Sequence, residues 1–126
     1  MLTKTIKIDG KPITFGASAS VVRLYRAKFG HDIIRDMAEL QKGLNETNIN
    51  AGADGLAAAS ALPPVMLEMF ENLAYSMAKV ASPDTVPESP EDWLDGFSLF
   101  SIYMIAPELI KLWEKSVQTH AKPKKK

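Results

Sequence analysis

Cysteine is absent from this 126-residue chain. That excludes disulfides, thiolate zinc sites and cysteine nucleophiles. Histidine is nearly absent too. His31 and His120 are the only two, and neither has a second histidine or an acid at ligand spacing, so no metal site is expected. The seven glycines are scattered, and neither GxGxxG nor GxxxxGK occurs, which excludes a phosphate-cradling loop. No apolar run approaches the ~20 residues of a membrane span. The opening MLTKTIKIDG is basic but lacks the apolar stretch of a secretion signal. Serines fall at helix starts and turns rather than in a nucleophile elbow. Asp32 and Asp36 stand four apart with Arg35 beside them, a pattern read as a cap and a solvated face rather than an acid–base pair. No catalytic residue and no cofactor is expected, and the chain is read as not an enzyme.

What is present suits one ordinary globular domain. Apolar residues make up 46% and charged residues 24%, enough for a real but modest core. The cytoplasm is the expected compartment. The net charge of zero conceals a pattern. Residues 1–42 carry eight Lys and Arg against four Asp and Glu, residues 43–121 carry three against eleven, and KPKKK at 122–126 is basic again. A chain with a basic front and an acidic middle can attract a copy of itself, although solvated helix faces are the favoured account of the pattern.

In chain order, residues 2–16 read as a β-hairpin. Asp9-Gly10 suits a two-residue type I′ turn, which needs positive φ at both positions. That turn sets Ile8 opposite Lys11, Ile6 opposite Ile13 and Lys4 opposite Phe15, so Ile6, Ile8, Ile13 and Phe15 share a face. Pro12 then faces Lys7 at a non-hydrogen-bonded site, where a missing N–H does not break the ladder. The outer strand edges are left to recruit a partner strand. Residues 18–37, SASVVRLYRAKFGHDIIRDM, read as two helices with a glycine joint. Val22, Tyr25 and Phe29 lie on one face of the first helix, with Leu24 near it. Ser18 or Ser20 caps that helix, Gly30 ends it, and Asp32 caps a second helix through Ile33, Ile34, Met37 and Leu40.

Residues 43–62 are rich in Asn, Gly and Ala without a period, and read as a mobile loop. Pro64 opens the most apolar helix, to about Ala81. Its stripe is Met66, Phe70, Leu73, Met77 and Val80, widened by Met69, Ala74 and Ala81, as expected of a central helix. Ser89-Pro90-Glu91-Asp92 starts a short helix with Trp93 and Leu94 inward. A last helical segment runs from Phe97 to about Val117, kinked or split by Pro107. Beyond Ser116 the period is lost, so 1–117 form the domain and 118–126 a flexible basic tail. The expected fold is mainly α (α+β): about five helices with an N-terminal β-hairpin. Phe97, Phe100, Tyr103 and Trp113 exceed what one helix face needs to bury, which makes them candidate partner-binding residues, burial in the core being the alternative.

A short helix pair with a glycine turn superficially matches a helix-turn-helix. DIIRDMAELQK, however, brings three acids and two basic residues to where phosphates would lie, and nucleic acid is disfavoured.

The succession TIKIDGKPITF, LYRAKFGHDIIRDM, ENLAYSMAK, PEDWLDGF and FSIYMIAPELIKLW resembles the tail assembly chaperones of long-tailed, siphovirus-type bacteriophages and prophages of Gram-positive bacteria. The resemblance spans nearly the whole chain and is weakest over 43–62. It implies a non-enzymatic factor in the host bacterial cytoplasm that binds the tape-measure protein and promotes tail-tube polymerisation. Its implied partners are the tape-measure protein, the major tail tube protein and a longer, frameshifted form of itself; a homo-oligomer is compatible with it, and a membrane is not involved. Such factors are usually absent from the mature virion. KPKKK is then read as marking a programmed frameshift, since lysine runs are often encoded by adenine runs that permit slippage. The alternatives are a small structural phage protein such as a head–tail connector component and, less favoured, a small DNA-binding protein.

Overall fold

The computed structural model describes residues 1–46, 62–98 and 101–121, with the backbone alone at 44–46 and 118–121. Among them are a two-stranded antiparallel hairpin and five α-helices, a small α+β domain of the expected class. Strands β1 (Leu2–Ile8) and β2 (Lys11–Ala17) pair in the register set by the turn: Ile8 with Lys11, Ile6 with Ile13, Lys4 with Phe15. Asp9 and Gly10 take φ of 54° and 79°, the left-handed pair that a type I′ turn demands and that Asp-Gly tolerates. One face carries Ile6, Ile8, Phe15 and Ala17 into the core, with Ile13 half-buried. The other keeps a hydroxyl bond of 2.9 Å between Thr5 and Thr14.

Helix α1 (Ala19–Phe29) is capped by Ser18, whose Oγ accepts from the Ser20 N–H at 3.3 Å. It ends at Gly30, at φ 71°, where only a residue without a Cβ sits free of strain. Val21 and Tyr25 are its fully buried residues, while Val22, Leu24 and Phe29 are half-buried. The buried face is thus centred one position earlier than the spacing of 22, 25 and 29 predicts. Helix α2 (Ile33–Glu46) starts on Asp32, whose carboxylate accepts the Ile34 N–H at 3.0 Å. Ile33, Met37 and Leu40 are buried, but Ile34 is 60% exposed and does not join them.

The sequence reading placed the loop from residue 43, whereas α2 continues through Glu46. Gly43 is buried within the helix. A Cβ there would lie 2.7 Å from the Met66 Sδ and 3.1 Å from Leu62. The glycine lets two helices approach rather than ending one of them. Residues 47–61 of the expected loop lie outside the described residues.

Helix α3 (Pro64–Ala81) packs against β2, α1, α2, the short helix α4 (Pro90–Leu94) and a 3-10 turn at Ser101–Ile105. Residues 73–78 are all buried, so its circumference is enclosed at that level, as a central helix requires. The Ser76 hydroxyl, buried there, donates to the Asn72 carbonyl at 2.9 Å. The predicted stripe omitted Tyr75 and Ala78, which are wholly buried on its other side. The chain breaks at Pro107 as expected. The 3-10 turn precedes helix α5 (Ala106–Ala121), with Pro107 in its first turn, where the missing N–H has no helical acceptor to lose. Phe97 and Ser98 are not helical, and α5 runs past Ser116 to Ala121, longer than the fading period indicated. The tail 122–126 lies outside the described residues.

Candidate partner-binding groove

Trp93 organises one side of the molecule. Ser89 starts α4 by accepting the Asp92 N–H at 3.2 Å, and this single turn drives Trp93 inward to 6% exposure. Phe15, Tyr75 and Phe97 meet its ring edge-on, with centroids at 6.4, 5.9 and 4.9 Å, a geometry favoured by the ring quadrupoles. Beside this cluster a groove of about 430 Å³ opens between β2 and the connection from α3 to α4. Lys11 to Thr14 form one side, Ser82 and Thr85 to Pro87 the other, and Trp93 and Phe97 the floor. A volume of this size belongs to the range of ligand-binding clefts.

The wall opposite β2 is pinned from α3. Lys79 is only 12% exposed in its side chain. Its ammonium donates to the carbonyls of Pro83 (2.9 Å) and Val86 (2.7 Å) and to the Glu88 carboxylate (2.9 Å). Glu88 is held below its ordinary pKa by that bond and by the lysine charge. Tyr75 donates its hydroxyl to the Pro87 carbonyl at 2.7 Å. Its pKa is raised by burial first and by the nearby Glu88 and Glu91 charges second. Three backbone carbonyls of an irregular segment are thereby fixed, and the groove is preorganised.

The hairpin side is fixed through its tip. The Asp9 carboxylate accepts from the Ser101 hydroxyl at 2.5 Å and the Ser98 N–H at 2.7 Å, bonds that lower its pKa. Lys11 reaches the Gly96 carbonyl at 3.4 Å. Asp9 therefore both permits the turn and anchors it to the segment entering the 3-10 turn.

A second cavity, of about 300 Å³, lies at the joint of α1, α2 and α3. There the Tyr25 hydroxyl donates to Asp36 at 2.7 Å, and His31 Nδ1 lies 3.4 Å from the same oxygen. Folding thus supplies His31 with the neighbouring acid that its sequence spacing did not reveal. Burial, then Asp36, push the Tyr25 pKa up. With its carboxylate taken up by Tyr25, Asp36 serves to tie α1 to α2. Among the described residues, no three His, Asp or Glu side chains gather as a metal site, and no helix is long and apolar enough to cross a membrane.

Three of the four aromatic candidates lie among the described residues, each with neighbours of its own. Phe97 lines the groove. Tyr103 packs on Phe70 with ring centroids at 6.3 Å and donates its hydroxyl to Glu71. Trp113 is half-buried against the core from α5, and Phe100 lies outside the described residues. Sequence reasoning missed Lys79 and Tyr75 as the anchors of the groove wall. One signal was there: Lys79 is the only Lys or Arg between Lys42 and Lys111. No family model, no curated protein and no solved structure matches this chain.

Proposed function

We propose that this protein is a non-enzymatic tail assembly chaperone, which binds the tape-measure protein of a long-tailed bacteriophage and promotes tail-tube polymerisation in the host cytoplasm. The groove beside β2 supports the binding part of this reading best. Its floor is apolar and aromatic, its two walls are fixed by hydrogen bonds, and its geometry suits holding a chain segment rather than carrying out a reaction. The phage assignment itself rests on the resemblance of the five segments quoted above. The longer, frameshifted form and the major tail tube protein belong to the same proposal.

Co-expression with the tape-measure protein of the same gene cluster tests it. This chain should keep that protein in the soluble fraction and co-purify with it. Thr85→Arg fills the groove from an exposed position and should abolish co-purification without unfolding the chain. Mass spectrometry of purified virions should not detect the chain; stoichiometric incorporation would favour a structural component instead. The coding DNA from Thr119 onward should contain a slippery heptamer and an overlapping frame.

A further inference from the structure

We propose that the indole N–H of Trp93 is the recognition donor of the groove, taken up by a backbone carbonyl in a neutral, apolar, extended segment of the partner. This rests on reading the groove as the partner site. Trp93 is 6% exposed. The other deeply buried side chains with a polar atom, Tyr25, Tyr75 and Ser76, commit it to a bond within the fold, as buried polar groups generally do. Trp93 differs. Nothing among the described residues accepts from its Nε1, yet no fully buried side-chain nitrogen or oxygen lacks a partner there. Nε1 therefore belongs to the small part of the ring that reaches the surface, and the groove is the described cavity that Trp93 lines.

The surroundings of that donor decide which acceptor suits it. The lining holds one acid, Asp92, and one base, Lys11, so it favours no net charge. Asp92 is exposed and adjoins Trp93 in the chain, where it repels a carboxylate or phosphate seeking the same N–H. The Lys11 ammonium is directed to the Gly96 carbonyl at 3.4 Å. A neutral amide carbonyl meets the indole without either conflict. Because the donor sits in an apolar floor, leaving it unpaired under a bound segment is costly. The carbonyl is thus required by the site and not merely tolerated.

The rest of the segment follows from the same walls. Val86, Pro87 and Phe97 stand beside Trp93, so the side chains flanking the carbonyl are apolar. A helical segment is unsuited, because its interior carbonyls already accept N–H groups one turn away. An extended segment leaves its carbonyls open. The donor is also held in place before anything binds. Edge-on packing by Phe15, Tyr75 and Phe97 fixes the indole plane, so little ordering of Trp93 accompanies binding.

The test uses the full chain, isotopically labelled at the indole nitrogens of its two tryptophans, and the neutral peptide acetyl-AVAVA-amide. Titration should move the Trp93 indole proton downfield with saturation and leave that of Trp113, on α5, in place. Replacing one peptide carbonyl oxygen at a time by sulfur weakens it as an acceptor. One of these thioamides should bind about three- to tenfold more weakly, as expected of one neutral hydrogen bond. In a Trp113→Phe chain Trp93 is the one tryptophan, and benzothienylalanine, which keeps the ring shape without the N–H, can replace it. That chain should bind more weakly by a similar factor than its Trp113→Phe parent, with unchanged circular dichroism. Thr85→Arg should abolish the shift. Peptides with glutamate or lysine for the two terminal alanines should bind no more tightly than the neutral one. Absence of a saturable Trp93 shift, a shift that survives Thr85→Arg, undiminished affinity in the benzothienylalanine chain, or tighter binding of either charged peptide would overturn the proposal. So would a Trp93 shift that grows with protein concentration alone, because a second copy would then fill the groove. If tape-measure co-purification depends on Thr85 but not on the indole N–H, the Trp93 contact is wrong and the chaperone reading stands. If the peptide binds as described and no tape-measure protein co-purifies, only the chaperone reading is wrong.

Discussion

Replacing Lys79 by methionine removes a charge but keeps an unbranched stem of similar length, so packing along α3 is largely preserved. The ammonium's bonds to the Pro83 and Val86 carbonyls are lost. A hydrogen bond to a charged group contributes about 1.5–3 kcal/mol. Pro83 is exposed and its carbonyl can rehydrate, whereas Val86 is 7% exposed and its environment is drier. The Val86 bond therefore dominates, and a loss of about 2 kcal/mol is expected. The loss should be concentrated in the wall itself. The Thr85 and Val86 amides donate to the Ser82 carbonyl at 3.1 and 3.0 Å, and their hydrogen exchange should accelerate about 30-fold if the whole effect is local. Urea unfolding measures the global part and residue-resolved exchange the local part. Co-purification of the tape-measure protein should weaken in parallel, because the groove wall would no longer be held. Lys79→Met within about 0.5 kcal/mol of wild type, with unchanged exchange at Val86, would refute the assignment of Lys79 as the wall's anchor.

Two further outcomes follow from titrating groups. Asp9 has a folded pKa below its ordinary 3.8 because of Ser101 and Ser98, so its contribution is present above that value and is lost as pH falls through the lowered one. Asp9→Asn keeps the turn preference and should flatten the acid limb of a stability–pH profile below about pH 4; an unchanged limb would discount the latch between the hairpin tip and the 3-10 turn. All three tyrosines are raised: Tyr25 by burial and Asp36, Tyr75 by burial and nearby acids, and Tyr103 to about 12 by burial and Glu71. Their neutral forms thus stabilise the fold below the ordinary value of 10.0, and that support is lost as pH rises past it. Ultraviolet titration should show less phenolate at pH 10 in the folded chain than in urea, where three ordinary phenols titrate. A normal phenol in the native protein would contradict the packing around at least one ring.

Local chemistry was legible in the sequence wherever a residue type has few conformational options. Asp9-Gly10 specified the turn and, through it, the strand register, because few residue pairs tolerate two consecutive positive φ values. Ser18, Asp32 and Ser89 marked helix starts, Gly30 a helix end and Pro107 a break, each by supplying or lacking one hydrogen-bonding group or a Cβ. Helical periodicity found the central helix because its apolar residues outnumber those one face can hold. Packing decided the rest. Gly43 reads as a loop residue until Met66 and Leu62 are seen against it, and Ile34 reads as core until α2 turns it outward. The groove is wholly a tertiary object. Lys11–Thr14 is far in sequence from Thr85–Pro87, Trp93 and Phe97, and Lys79, Tyr75 and Asp9 fix its sides through bonds to backbone groups. A backbone carbonyl carries no sequence signature, because every residue has one. Which carbonyl a lysine or tyrosine reaches is therefore settled only when the chain is folded.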